Sequence, residues 1–266
     1  MFGIDNRSTK DMDTLIRGLN VSKENMINIL NEILTVDLDD NVKFDLINIT
    51  DIKNGDEYGS NKYHIVGRIQ NMKINLEIDI STGDKITPRQ LKYKYPLLFS
   101  DKYIIINSYN IETILSEKIE TVLKRGIYNS RMKDFYDIYI FLNNFYSDIN
   151  INDFLSAIKN TFDKRNSLDV LKDYKLILHE IKENERMNIL WNKYIIKRNY
   201  AKNIIFSNII DLLIEFLNKH ITLFNWNFPK KVVNLSYYLA RWWSGLTHCV
   251  LSAAFTGSNP VRVTIK

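Results

Sequence analysis

The sequence has few of the residues on which several classes of protein depend. Its 266 residues include one cysteine, Cys249, which excludes an internal disulfide framework and a cysteine-built zinc site and is typical of a reducing cytoplasm. The four histidines are scattered, so a histidine metal site or a catalytic triad has little support. No Walker motif, G-x-G-x-x-G, H-E-x-x-H or nucleophile elbow occurs.

Long apolar runs are also missing. No stretch of about 18 uninterrupted apolar residues occurs, and the opening "MFGIDNRSTKDMD" is polar from its fourth residue onward. We therefore expect no secretion signal, no membrane association and a cytoplasmic location.

The positive charge is concentrated near the end of the sequence. Residues 226–266 contain five basic side chains and no acidic one, so the rest of the chain balances 31 basic against 31 acidic residues. The net charge of +5 therefore gives no support for nucleic-acid binding by the body of the chain.

Two carboxylates stand close together early in the chain, in "RSTKDMD". If this stretch is extended, Asp11 and Asp13 lie on one face, where their like charges repel unless a divalent cation lies between them. The alternative is a solvated turn or strand end.

Strand patterns come first and helix patterns follow, which predicts an α+β domain followed by a helical region. A helix capped by Ser22 is expected before the strands, and "QNM" is short enough for a hairpin. The expected strands are 42–49, 62–69, 73–81 and 102–109, with a loop at 81–88, and the expected helices are 111–125, 132–145, 152–163, 167–183, 185–199 and 206–220.

The strand pattern "KINLEIDIS" has an apolar face from Ile74 to Ile80 and a polar face that contains Asp79. Either this polar face is simply hydrated, or Asp79 completes a carboxylate set with Asp11 and Asp13. Three carboxylates can hold two Mg²⁺ ions for an in-line phosphoryl displacement.

The predicted helix 111–125 carries a lysine on its apolar stripe. Asn110 can cap this helix and Gly126 can end it, while Lys118 falls within the stripe and Arg125 near its edge. A core-facing lysine needs an anion, such as a triphosphate, or must extend its ammonium group to water.

The next predicted helix places Asp134 and Asp137 together at i, i+3, beside a face that includes Arg131. These acids either belong to a ligand site or pair with Arg131, Lys133 and the basic residues of the preceding helix.

Taken in order, "GIDNRSTKDMD", "LEIDISTGD" and "EKIETVLKRGIYNSRMKDFYDIY" resemble the nucleotidyltransferase toxins of the AbiEii/AbiGii abortive-infection family, from about residue 2 to about residue 220. The resemblance implies a polymerase-β-like nucleotidyltransferase fold and a toxin of a type IV toxin–antitoxin system that acts in phage defence. It also implies an encoded antitoxin, an NTP substrate with GTP as one candidate, and an RNA acceptor, with tRNA favoured.

The resemblance also assigns roles to residues. Asp11, Asp13 and Asp79 would be the catalytic carboxylates that bind Mg²⁺, and Lys118 would contact the nucleotide phosphates. The nucleotide site would further be shaped by Arg7, Ser8, Arg125, Arg131, Asp134 and Asp137. On this basis, the nucleotidyltransferase core is expected at 1–145, a helical domain at 146–225 and an atypical tail at 226–266.

This sequence departs from the family pattern at one element. Family members carry a Gly-Gly or Gly-Ser turn upstream of the D-x-D, whereas Gly3 lies too close to Asp11 to be that turn. The resemblance therefore predicts that N-terminal elements are missing. Two further readings are a non-catalytic nucleotide binder or degenerate remnant of the family, and a nucleic-acid-binding module such as an antitoxin.

The tail differs in composition from the rest of the chain. It holds the cysteine and the adjacent Trp242 and Trp243, and "GSNPV" is what the T-arm of a tRNA gene would encode in this frame. We expect a reading frame that continues into a tRNA gene, so that the tail is irrelevant to function. A basic RNA-docking tail and a membrane-surface helix are the alternatives.

Overall fold

The computed structural model describes residues 11–16, 22–52, 60–82, 86–97 and 101–221, all of which belong to one compact unit. Six strands and eight α-helices lie within these ranges. The structure does not describe residues 1–10, the side chain of Asp11 or the tail 226–266. The predictions for Gly3, Arg7, Ser8 and the tail therefore lie outside the described residues.

A four-stranded mixed sheet forms the first half of the fold. Its strands are β1 (Asp11–Ile16), β2 (Lys43–Ile52), β3 (Ser60–Ile69) and β4 (Met72–Thr82), in the order β1-β4-β3-β2. β1 pairs with β4 in parallel, while β2, β3 and β4 pair antiparallel. The turn between β3 and β4 is the short hairpin that the sequence predicts.

Helix α1 (Lys23–Leu34) covers one face of this sheet. Its N-cap is Ser22, whose Oγ accepts a hydrogen bond from the backbone N–H of Asn25, as predicted. Met26 and Leu30 pack against Tyr63 and Ile80 in a small apolar core. The opposite face of the sheet consequently carries the polar residues of β1, β3 and β4.

Strands β5 (Leu91–Pro96) and β6 (Tyr103–Ser108) form a separate two-stranded antiparallel sheet. The segment before β5 is attached to the helical region, because Asn110 Nδ2 and Thr113 Oγ1 both donate to Thr87 O, at 2.6 and 3.1 Å. Asn160 Nδ2 also donates to Thr87 Oγ1, at 2.9 Å.

The rest of the described chain is helical. Its helices are α2 (Ile111–Arg125), α3 (Met132–Asn144), α4 (Ile151–Lys164), α5 (Leu168–Lys172), α6 (Tyr174–Glu183), α7 (Glu185–Ile196) and α8 (Phe206–Ile221). Short 3₁₀ turns lie at Gly126–Tyr128, Tyr146–Asp148 and Asn199–Ala201. The core of this region has fully buried side chains on α2, α3, α4 and α8.

The ends of α2 follow the predicted local chemistry. Asn110 caps its N-terminus by accepting from Thr113 N at 3.1 Å, and Gly126 follows its last residue with φ 53°. A positive φ is cheap only for glycine, which explains the residue type at this end.

The predicted α+β class, with a sheet followed by helices, is confirmed. Two details differ from expectation: β5 was not predicted, and the expected helix 167–183 is divided into α5 and α6. No helix of the described residues has the length and hydropathy needed to cross a membrane.

Candidate functional site

The parallel pairing of β1 with β4 brings two predicted site residues together. Asp13 lies directly opposite Asp79, and the backbone of Asp11 lies opposite that of Glu77. Thr14 Oγ1 donates to Asp79 O at 3.1 Å and so ties the two strands together beside the aspartates. Because paired residues of neighbouring strands project to the same side, the register places these acids on the face opposite α1.

A lysine of the next strand accompanies them. Lys62 lies opposite Asp79 in the β3–β4 pair, and its Nζ is 3.1 Å from Asp79 Oδ1 and 2.8 Å from Glu77 Oε2. The contact with Glu77 has hydrogen-bond geometry, whereas Asp79 Oδ1 is buried and accepts no hydrogen bond from any described residue. The buried Oδ1 of Asp79 is thus held by the charge of Lys62 rather than by a hydrogen bond from a described residue.

The neighbours of Glu77 favour its charged form. The hydrogen bond from Lys62 lowers the pKa of the Glu77 carboxyl below its usual value, and the charge of the same lysine adds to the effect. His64 Nδ1 lies 3.5 Å from Glu77 Oε1. Neither Glu77 nor Lys62 was among the predicted site residues, although both alternate with apolar residues along their strands.

Asp13, Asp79 and Glu77 lie on one face of the sheet, called the acidic face below, and residues of this type suit a cation. Mg²⁺ prefers carboxylate oxygens, and Asp13, Asp79 and Glu77 supply them on adjoining strands. Among the described side chains, however, no three acidic, histidine or cysteine residues converge on one metal position. The side chain of Asp11 lies outside that description, so the predicted three-aspartate set stays a prediction.

A second set of predicted residues meets between α2 and α3. Lys118 Nζ lies 3.1 Å from Asp134 Oδ1 and 2.7 Å from Asp137 Oδ2. Arg131 Nε lies 3.0 Å from the other oxygen of Asp134. The side chains of Asp134 and Asp137 are only 2% and 1% exposed, and that of Lys118 is 18% exposed.

This ionic cluster pairs its buried carboxylates within the protein. Buried carboxylates are stable only when they are paired, and here two cations neutralise two acids. Arg131 contacts Asp134, and Lys118 of the preceding helix contacts both acids, as one of the two interpretations expected. The part of these residues in a ligand site stays a prediction. Lys118 has carboxylate partners within the chain itself.

The remaining predicted residue, Arg125, is exposed at the end of α2 and takes part in no hydrogen bond or ion pair that the structure describes. The predicted residues thus form two sets. One consists of Asp13 and Asp79 on β1 and β4, and the other of Lys118, Arg131, Asp134 and Asp137 on α2 and α3.

Comparison with known proteins identifies the class. The family of nucleotidyl transferase AbiEii toxins, of type IV toxin–antitoxin systems, matches residues 1–204 of this chain. The match spans most of the chain, including both sets of residues. The chain belongs to the AbiEii nucleotidyltransferase toxin family, as its resemblance predicted.

Solved structures similar to this chain include two from one organism. A candidate nucleotidyltransferase from H. pylori is 15% identical with a TM-score of 0.39, over 80% of this chain and 81% of that chain. JHP933 from Helicobacter pylori is 15% identical with a TM-score of 0.41, over 82% of this chain and 80% of that chain. No curated protein matches the chain significantly. The family assignment rests on the family match alone.

Proposed function

We propose that this protein is a Mg²⁺-dependent nucleotidyltransferase toxin that transfers a nucleotide from an NTP to an RNA acceptor. Membership of the AbiEii family supports nucleotidyl transfer, an NTP substrate and an encoded antitoxin. The observation that carries the proposal for this chain is the pairing of Asp13 with Asp79 across two parallel strands. Two acids at directly opposite positions of neighbouring strands are explained if a cation binds between them.

The acidic face would hold the metal through Asp13 and Asp79, with Asp11 as a third ligand. When bound, Mg²⁺ supplies positive charge that stabilises the attacking and leaving oxygens of the phosphoryl group. Asp79 offers its buried Oδ1, which accepts no hydrogen bond from the described residues. Lys62 offsets part of the negative charge of this face before a cation binds, because its ammonium group already contacts Asp79 and Glu77.

The ionic cluster would serve the nucleotide phosphates. An ammonium group has three N–H donors, and that of Lys118 donates to Asp134 Oδ1 and lies 2.7 Å from Asp137 Oδ2. A remaining donor of Lys118 can then meet a phosphate oxygen, with the lysine held in place by its carboxylate partners. Arg131 sits beside it on Asp134, and Arg125, Arg7 and Ser8 would complete the nucleotide site.

A non-catalytic nucleotide binder is a second candidate, and one observation favours it. Lys62 lies 3.1 Å from Asp79 Oδ1, so the chain provides its own cation where a metal would bind. If Lys62 stays there permanently, nucleotide could bind at the ionic cluster without transfer.

The test is nucleotide transfer by the whole chain. Each of the four labelled NTPs is incubated with the protein, Mg²⁺ and total tRNA, and transfer of label to RNA is measured for the wild type and for Asp13→Asn and Asp79→Asn. We expect transfer to fall at least about 100-fold in both variants, since each removes a charged metal ligand. Asp169→Asn is the matched control, because this surface aspartate is 78% exposed and pairs only with Lys172 in the described contacts.

Two other results would count against the proposal. Nucleotide-induced thermal stabilisation without any transfer, unchanged in Asp79→Asn, would favour the non-catalytic binder. Transfer that survives in both aspartate variants would show that the acidic face is not the reactive centre.

A further inference from the structure

An open groove of about 380 Å³ lies between the start of α3 and the end of α7. Arg131 and Lys133 line it on the α3 side, and Lys193 and Arg198 line it on the α7 side. The rings of Tyr194 and Tyr200 also line it, and no acidic residue of the described part of the chain does. The groove is therefore cationic and partly aromatic.

Most of these charges have no counterion among the described residues. Arg131 is paired with Asp134, but no described carboxylate forms an ion pair with Lys133, Lys193 or Arg198. Arg198 Nη1 donates only to the backbone oxygen of Lys197, at 3.3 Å, in the described contacts. Like charges gathered around one groove repel one another, and an anionic ligand would relieve that repulsion.

The two tyrosine rings are held in place by their neighbours. Tyr194 stacks on the buried Trp191 with ring centroids 5.4 Å apart, and Tyr200 packs on the buried Tyr136 with centroids 4.8 Å apart. Their hydroxyl groups are 3.0 Å apart, so each also holds the other. Both rings are half-buried and thus reach the groove as fixed aromatic surfaces.

Basic side chains next to fixed aromatic rings match one class of ligand. Single-stranded nucleic acid offers a phosphate at every nucleotide for the cations and a base at every nucleotide for the rings. An acidic peptide would use the charges and leave the rings without a stacking partner. We propose that this groove binds a single-stranded segment of RNA, with phosphates on Lys193, Arg198 and Lys133 and bases against Tyr194 and Tyr200.

The groove adjoins the ionic cluster through one residue. Arg131 lines the groove and also contacts Asp134, which holds Lys118. An RNA strand in the groove would therefore lie next to the residues proposed to bind the nucleotide phosphates. The inference deepens the proposed function, on which it rests for the identity of the RNA as the acceptor.

The test measures RNA binding without nucleotide transfer. A fluorescently labelled 12-nucleotide single-stranded RNA is titrated with the full chain, without NTP, across a range of salt concentrations. We expect Lys193→Ala/Arg198→Ala to weaken binding at least tenfold at low salt. We also expect the slope of log affinity against log salt to fall by about 1.4, since each phosphate contact to a single strand contributes about 0.7. The matched control is Lys159→Ala/Lys202→Ala, which removes the same charge from exposed positions that do not line the groove.

A second pair of variants tests the rings. Tyr194→Phe keeps the ring and should bind RNA within about twofold of the wild type. Tyr194→Ala removes the ring and should bind about tenfold more weakly, the size expected for one lost stacking contact. Thermal melting of each variant confirms that it is folded before its binding is compared.

The proposal is overturned if the groove and control double variants bind RNA equally. It is also overturned if polyglutamate of the same charge competes as well as RNA does, because the surface would then bind any polyanion. Failure of the proposed function looks different, since the wild type would bind RNA through the groove yet transfer no nucleotide to it.

Discussion

At the scale of single residues, the stability of the fold depends on how its buried charges are neutralised. Asp134 and Asp137 are almost fully buried in α3, and their stability depends on Lys118 and Arg131. Lys118 therefore has a structural role whether or not a nucleotide binds beside it. An apolar replacement of Lys118 would suit the apolar stripe of α2 but would leave these two carboxylates without their shared counterion.

We predict that Lys118→Met lowers the free energy of unfolding by about 3 kcal/mol, because it leaves two buried carboxylates short of a counterion. Chemical denaturation without nucleotide measures this change. Lys124→Met is the matched control. Lys124 lies on the same helix, is 46% exposed and is 3.6 Å from Glu120, which keeps its 2.8 Å contact with Arg165. Because Lys124 is half-exposed and the buried Glu120 keeps Arg165 as its counterion, this change should cost less than about 1 kcal/mol.

A combined variant separates lost charge pairing from lost packing. Lys118→Met/Asp134→Asn/Asp137→Asn removes the unpaired acids together with the lysine, and it should recover part of the lost stability. Equal stability of Lys118→Met and the wild type would show that the carboxylates are neutralised without this lysine.

The candidate site was only partly predictable at this scale. A period of two places Asp79 on the polar face of its strand, and the family resemblance groups it with Asp11 and Asp13, but the pairing of β1 with β4 is seen only in the structure. The contact of Lys62 with both Glu77 and Asp79 could not be predicted, since it depends on the register between β3 and β4. A one-residue shift of that register would move Lys62 to the other face.

At the scale of secondary-structure elements, local signals set most boundaries. The caps Ser22 and Asn110 and the terminal Gly126 act within one turn. Helix α1 begins where Ser22 predicts, and α2 begins and ends where Asn110 and Gly126 predict. The break at Asp173 between α5 and α6 has no glycine or proline to mark it, so the helical periodicity alone suggested one continuous helix.

The faces of strands were less predictable than their positions. Ile78 and Ile80 of β4 pack toward α1, but Ile74 and Leu76, on the same predicted apolar face, are 54% and 37% exposed. A period of two identifies the face, whereas the length of the covering helix decides how much of it is buried.

Asn110 links two elements, and its replacement tests that link. Its Oδ1 caps α2 and its Nδ2 donates to Thr87 O before β5. We predict that Asn110→Ala lowers the free energy of unfolding by about 2 kcal/mol, the sum of a lost cap and a lost buried hydrogen bond. Ser22→Ala, which removes only the exposed cap of α1, should cost about 1 kcal/mol. Urea denaturation compares them, and equal losses would show that the contact with Thr87 adds no stability.

At the scale of the whole molecule, an even balance of charge conceals a local imbalance. Outside residues 226–266 the basic and acidic residues are equal in number, so net charge gave no reason to expect binding of an anion. The fold nevertheless brings four basic side chains of α3, α7 and the residues after α7 around one groove without an acidic neighbour in its lining. Such clustering depends on how helices far apart in sequence pack, and no composition count can detect it.

The helical region also bears on what residues 226–266 contribute. The last described helix, α8, already buries Ile209, Leu213 and Leu217 by packing on α3, α4 and α6. We predict that a chain ending at residue 225 keeps its melting temperature within about 2 °C, because a larger shift would correspond to a loss of about 1 kcal/mol or more. A chain ending at residue 205 is the matched control and should lose cooperative unfolding, since it removes α8 from the core. A clear drop in melting temperature or in nucleotide binding for the longer truncated chain would show that residues 226–266 belong to the folded, functional protein.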